Sequence, residues 1–189
     1  EVADYSSQAI EAGSDFVRLG GGSLGGKGRS LAYFHALLPQ LDLAELSDIE
    51  VCIPRSAVVG TKVFDEFLES NELTELAYSD TSELEDDDIA ETFIEARFPE
   101  SIYEDLKTFV EQVEYPLAVR SSSLLEDSQH QPFAGVYETY MLSNNHPDPK
   151  LRLQHLCDAI KLVYASTFYQ ASKAYIAATP NRIEEEKMG

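Results

Sequence analysis

The chain has 189 residues, with 14 Lys plus Arg against 34 Asp plus Glu, for a formal net charge of −20. That balance excludes a general nucleic-acid binder and an anionic-membrane binder, since both need a basic surface. A hydrophobic content of 43% with ten Tyr and nine Phe excludes a disordered chain, and the length suits one domain or one lobe of a larger one. No apolar run approaches the ~20 residues of a membrane span. The start, Glu1-Val2-Ala3-Asp4, has neither an initiator Met nor the basic and apolar regions of a signal peptide, and reads as a segment of a longer protein. Cys52 and Cys157 lie far apart in apolar contexts, which predicts two reduced core thiols and a cytoplasmic location. His35, His130, His146 and His155 make no metal-ligand spacing.

The charge is unevenly spread. Residues 80–114 alone sum to −11, whereas residues 16–40 sum to +3 and contain no acid. In chain order, Phe16-Val17-Arg18-Leu19 reads as a short extended run leading into a glycine cluster. From Lys27 to Leu38, Leu31, Phe34, Leu37 and Leu38 recur at helical spacing until Pro39. Ile49–Ile53 predicts a strand stopped by Pro54, and Ala57-Val58-Val59 predicts a second. Thr61 is a candidate cap for a helix through Glu69 with Val63, Phe64, Phe67 and Leu68 buried.

The acidic stretch 80–114 predicts helices too. Ser82-Glu83-Leu84-Glu85 and Ser101-Ile102-Tyr103-Glu104 both fit the capping box, in which Ser and Glu satisfy each other's helix-start amides. Ile89, Phe93 and Ile94 give one apolar face; Leu106, Phe109, Val110 and Val113 give another. Glu85-Asp86-Asp87-Asp88 reads as a solvated helix start, because a calcium loop needs alternating ligands around a central Gly. Pro116–Ser122 and Val136–Leu142 are strand candidates flanking a polar loop. Leu151 to Ala178 is one helix or two, with Leu153, Leu156, Ile160, Val163 and Thr167 on one face. The pattern is α+β, helix-rich with a small mixed sheet.

Residues 20–28, Gly-Gly-Gly-Ser-Leu-Gly-Gly-Lys-Gly, hold six of the ten glycines. Such a loop lets backbone amides approach phosphate without Cβ clashes, and a helix starting near Lys27 would add its dipole and free amides. Arg18, Lys27 and Arg29 make this an electropositive island; the alternative is a merely flexible linker. Gly20-x-Gly22-x-x-Gly25 also satisfies the dinucleotide fingerprint, and Gly21-x-x-x-x-Gly26-Lys27 most of a P-loop. The first needs a strand–helix–strand unit with an acid ending the second strand. The second needs a hydroxyl after Lys, where this chain has Gly28.

A second constellation is Leu117-Ala118-Val119-Arg120-Ser121-Ser122-Ser123, which puts a lone Arg at the end of an apolar strand, before three hydroxyls. The guanidinium fork matches phosphate; the alternative is an ion pair to Glu126 or Asp127. These motifs, with Phe133-Ala134-Gly135-Val136-Tyr137-Glu138-Thr139 and Ala159–Ser166 following in order, resemble the N-terminal nucleotide-binding region of the phosphoenolpyruvate synthase and pyruvate phosphate dikinase family. The resemblance runs over residues 16–189, with no recognisable motif in 70–114.

It implies the first lobe of an ATP-grasp fold, all of 1–189 forming the N-terminal part of the ATP-binding domain. Lys27, with Gly25 and Gly26, would meet ATP phosphates from the loop; Arg120, with Ser121 and Ser122, would meet them from the strand end. In such enzymes ATP phosphorylates a histidine on a separate mobile domain, which passes the phosphoryl group to pyruvate or a related acceptor. The family's acidic Mg²⁺ ligands lie beyond the point where this chain stops, and none of the four His matches the carrier motif. The resemblance therefore implies a partial site that does not turn over alone. Two other readings stand beside it: a P-loop NTPase using Gly21–Lys27, and a non-catalytic acidic interaction module built on residues 80–114.

Overall fold

Phe16–Leu19 is aromatic, β-branched or aliphatic at three of its four positions, and all three are buried in the centre of a parallel sheet. The computed structural model describes residues 3–4, 15–43, 48–78, 84–123, 135–180, 182–183 and 186–189, with residues 3–4 and 77–78 as backbone only. In it the sheet order is β1 (Ala3–Asp4), β2 (Phe16–Leu19) and β3 (Ser56–Val59). Phe16 registers with Ser56 and Leu19 with Val59. Helix α1 (Gly25–Leu37) connects β2 to β3 and runs into a 3-10 turn at Leu38–Gln40, where Pro39 withholds its donor. The second sheet is the antiparallel pair β4 (Leu117–Arg120) and β5 (Thr139–Leu142), with Arg120 opposite Thr139. The α+β expectation stands, with parallel pairing in one sheet and antiparallel pairing in the other.

Residues 49–53 form no strand: Ile49 and Val51 are exposed, and the chain becomes extended and paired only at Ser56. Cys52 is consequently exposed, and only Cys157 is a core thiol. The apolar stripe of α1 is likewise not its buried face. Gly25, Gly26 and Gly28 are buried there, while Phe34 is 54% exposed. Lacking side chains, the glycines let this helix lie against its neighbours more closely than Leu or Phe would allow.

Helix α2 (Thr61–Ser70) buries Val63, Phe64, Phe67 and Leu68 at the spacing expected of one helical face. Gly60, not Thr61, is its cap residue. After the short α3 (Thr74–Tyr78) come the acidic helices α4 (Asp86–Glu95) and α5 (Glu100–Gln112). Helix α5 does not use its predicted capping box. Helix α4 begins after Glu85, while residues 79–83, Ser82 among them, lie outside the described residues; α5 begins after Pro99. Ser101 instead donates to Glu66 Oε2 at 2.9 Å. Asp86 accepts from the backbone amide of Gln170 at 2.8 Å, placing an acid on the positive end of the last helix.

The C-terminal stretch is two helices, α6 (Pro149–Ser166) and α7 (Gln170–Ala177), separated at Thr167-Phe168-Tyr169. Helix α6 packs on α4, α5 and β4, and Leu153, Leu156, Ile160, Val163 and Thr167 are all buried. Phe64, Phe67, Phe93, Tyr164 and Phe168 join three segments of sequence into one aromatic cluster. Its closest rings, Phe64 and Tyr164, meet edge-on at 5.0 Å.

The two sheets' elements meet where α1 starts against the end of β4. The Gly26 amide donates to Ser123 carbonyl oxygen at 2.9 Å. Gly25 stands at φ +68°, and a Cβ there would overlap the Ser122 carbonyl. Gly25→Ala therefore carries both a left-handed backbone penalty and a backbone clash. It is expected to lower the unfolding free energy by at least about 2 kcal/mol, read as a lower urea midpoint with an unchanged slope.

Burial pushes the Cys157 thiol up to about 11, only partly opposed by nearby Lys161. At about pH 8 the native protein is expected to label rapidly at Cys52 and not at Cys157, and at both in denaturant. The unfolded thiol titrates near 9.0 and the folded one near 11. Its contribution to stability is therefore whole below about pH 9 and is lost as pH rises towards 11.

Candidate functional site

The glycine loop is held from two sides. On one side, α2 presents its amino end to the loop: amides of Gly60, Thr61 and Lys62 donate to the carbonyls of Leu19, Ser23 and Gly21 at 2.8, 2.9 and 3.1 Å. Thr61 Oγ1 completes this contact by accepting from the Ser23 amide at 2.9 Å. The loop thus supplies the acceptors that the start of a helix lacks within itself.

On the other side the loop meets the residues after Arg120. Ser122 Oγ accepts from the Gly28 amide at 2.8 Å and donates to the Leu24 carbonyl at 2.7 Å. The Gly189 amide donates to the Ser122 carbonyl at 3.2 Å. The Gly25 amide donates to Ser23 Oγ at 3.2 Å. So the amides of Gly25, Gly26 and Gly28, expected to be free for phosphate, are all satisfied within the chain. The amino end of α1 is capped by a strand end 94 residues away in sequence.

Lys27 points out of this seam. Its Nζ donates to the Ser121 carbonyl at 3.2 Å and to Ser121 Oγ at 3.3 Å. Ser121, Ser122 and Ser123 are all buried, whereas Arg120 is exposed at the end of β4. Among the described residues Arg120 forms no ion pair, and its alternative partners Glu126 and Asp127 lie outside them. Lys27 and Arg120 both line one cleft of about 870 Å³ between α1 and β3 on one wall and β4, α5 and α6 on the other. The structure thus brings together Gly25, Gly26, Lys27, Arg120, Ser121 and Ser122, two constellations that the sequence holds apart.

No carboxylate lines the cleft among the described residues; α5 turns Leu106 and Phe109 to it, not its acids. The remaining lining is largely aliphatic and aromatic, a surround of low polarity in which charge interactions are stronger than in bulk water. Deep in the lining lies Tyr164, whose hydroxyl has no hydrogen-bond partner among the described residues and whose titration burial pushes up. Arg55 also borders the cleft but is paired with Asp15 at 2.8 Å. Of the predicted electropositive island, only Lys27 reaches the cleft lining; Arg29 Nε donates back to Gly25 carbonyl oxygen at 3.0 Å.

Sequence reasoning missed the seam itself. Its only signal was three consecutive hydroxyls after an apolar strand, which the motif reading assigned to ligand contact. Among the described residues there is no group of three or more His, Cys, Asp or Glu able to hold a metal ion. No helix among them is long and apolar enough to cross a membrane.

The strand–helix–strand unit that the dinucleotide fingerprint requires is present as β2–α1–β3. Its second strand ends in Val59-Gly60 without the required acid. The P-loop reading lacks a hydroxyl after Lys27, where Gly28 stands, and the loop amides of Ser23, Gly25 and Gly26 are already bonded within the chain. No curated protein matches the chain significantly. The family described as pyruvate phosphate dikinase, AMP/ATP-binding domain, matches residues 22–189, from within the glycine loop to the last residue. With its two cationic motifs gathered on one cleft of an ATP-grasp-type lobe, the chain belongs to that family.

Proposed function

We propose that this chain is the ATP-binding lobe of a dikinase that phosphorylates a carrier histidine on the way to pyruvate or a related acceptor. The observation that carries the reading is the convergence of Lys27 and Arg120 on one cleft that no acidic side chain lines among the described residues. Two cations from separate elements suit the separated charges of a polyphosphate. Lys27 offers a compact ammonium, and Arg120 a planar fork able to hold two oxygens at once. Ser121 holds Lys27 through its carbonyl and hydroxyl, which restricts where the ammonium sits.

In phosphoryl transfer the protein's work is chiefly positioning and charge stabilisation. Cations already in place act without reorganising when charge moves onto the leaving oxygen. The described residues do not fit Mg²⁺, since the cleft offers no carboxylate and no metal-binding cluster forms. On this reading the metal's ligands and the carrier histidine belong to other parts of the full-length protein, and residues 1–189 alone do not turn over. The free Cys52 accords with a cytoplasmic location.

The test uses the full-length protein and follows ATP-dependent formation of acid-labile, base-stable phosphohistidine. Lys27→Ala and Arg120→Ala are each expected to lower the rate about 10²–10³-fold. Arg120→Lys should stay well below wild type, because an ammonium cannot reproduce the fork. Rates unchanged in both alanine variants would remove this site from the reaction, and absence of phosphohistidine in the wild type would remove the carrier step.

A further inference from the structure

The site's two cations come from elements far apart in sequence, and the Ser122 side chain is one of the groups that join them. We propose that Ser122 is a positioning residue rather than a nucleotide ligand: its hydroxyl fixes the glycine loop to the Arg120 strand and thereby places Lys27. This rests on the ATP-binding reading above and assigns one of its residues a different task.

Three observations carry the assignment. The hydroxyl has one donor, which is given to the Leu24 carbonyl at 2.7 Å, and it accepts from the buried Gly28 amide at 2.8 Å. Its bonded neighbours flank Lys27 in sequence, so both bonds act on the turn from which that side chain projects. Ser122 is only 6% exposed, and its own carbonyl faces Gly25 and accepts from the Gly189 amide at 3.2 Å.

Its neighbour Ser121 differs in kind. Ser121 Oγ lies 3.3 Å from Lys27 Nζ, next to the ammonium itself, so it belongs to the charged face of the cleft. Ser122 belongs to the seam beneath it. Removing the Ser122 hydroxyl leaves a buried amide and a part-buried carbonyl without that partner, and the loop is then free to shift relative to β4. A shift of that kind misplaces Lys27 without touching the ligand.

A double-mutant cycle on the full-length protein tests this, with the dissociation constant for ATP read by titration calorimetry. Ser122→Ala is expected to weaken binding about tenfold, and Lys27→Ala about 10–100-fold. In the Lys27→Ala background, adding Ser122→Ala should cost no more than about twofold, because the group it positions is gone. A tenfold loss that persists in that background would overturn the proposal by showing that Ser122 touches ATP itself. Unchanged affinity in Ser122→Ala alone would overturn it too, leaving the seam a matter of stability only.

Should Ser122→Ala fail to give the wild-type circular dichroism spectrum, Gly28→Ala presses on the seam from the helix side. Its Cβ would lie 3.1 Å from Val58 Cγ1 and 3.4 Å from Ser122 Oγ. The same Lys27-dependent loss is expected there, and unchanged affinity would overturn the proposal. Lys27→Ala and Arg120→Ala without effect would instead defeat the ATP-site reading, a result separate from any measurement at Ser122.

Discussion

The contact on which the site depends is the one between the amino end of α1 and the end of β4. A helix start leaves its first amides without acceptors, and a strand end leaves carbonyls and side chains beyond its ladder. Here each solves the other's problem. Gly26 and Gly28 donate to Ser123 and Ser122, and Ser122 donates back to Leu24. The approach requires Gly25, whose missing Cβ leaves room for the Ser122 carbonyl. Close packing in the aromatic core holds α2 and α6 in place, but it does not set the register between the two cationic motifs. The seam does, with α2 securing the other side of the same loop through Gly60, Thr61 and Lys62.

The overall charge of −20 coexists with a candidate anion site because, among the described residues, no acidic side chain lines the cleft. Helices α4 and α5 carry many of them, and the face that α5 shows the cleft is Leu106 and Phe109. One acid, Asp86, is spent on capping α7. Exposed charges separated by more than about 8 Å are largely screened at physiological salt, so a negative surface does not cancel two cations at a cleft of low polarity. The aliphatic lining beneath Lys27 and Arg120 adds no competing charge and lowers the local polarity on the protein side of the cleft.

Much of this was legible in the sequence where one local signal dominated. The apolar run at Phe16–Leu19, the stripe through Val63, Phe64, Phe67 and Leu68, and the buried face of α6 follow from periodicity, because burial on one side leaves that mark. The order of the glycine and Arg-Ser motifs pointed to the family before any geometry. Helix starts were less legible. Ser101 fits a capping box but sits one residue inside a helix that begins at Glu100, and its hydroxyl goes to Glu66 on α2. Residues 49–53 have strand composition but, among the described residues, no strand to pair with, and Cys52 is exposed with them. Those outcomes turn on tertiary partners that composition does not encode. The same holds for α1, where the helical spacing of Leu31, Phe34 and Leu37 is real but the buried face is glycine.

That last point alters what a glycine cluster before a lysine means. The common inference is that such glycines clear space for phosphate against loop amides. In this chain the amides of Gly25, Gly26 and Gly28 are already bonded, and the space at Gly25 is filled by the Ser122 carbonyl. The glycines therefore serve protein–protein contact within the chain. On the proposed reading, anion recognition falls to side chains, one ammonium and one guanidinium. Side chains bring full charges where amides bring partial ones, but they also bring rotamer freedom that must be restricted before the charge is useful. Lys27 meets that requirement through two bonds to Ser121, and its backbone through the bonds of Ser122 on either side. The glycines matter to the site because they allow the strand close enough to do this.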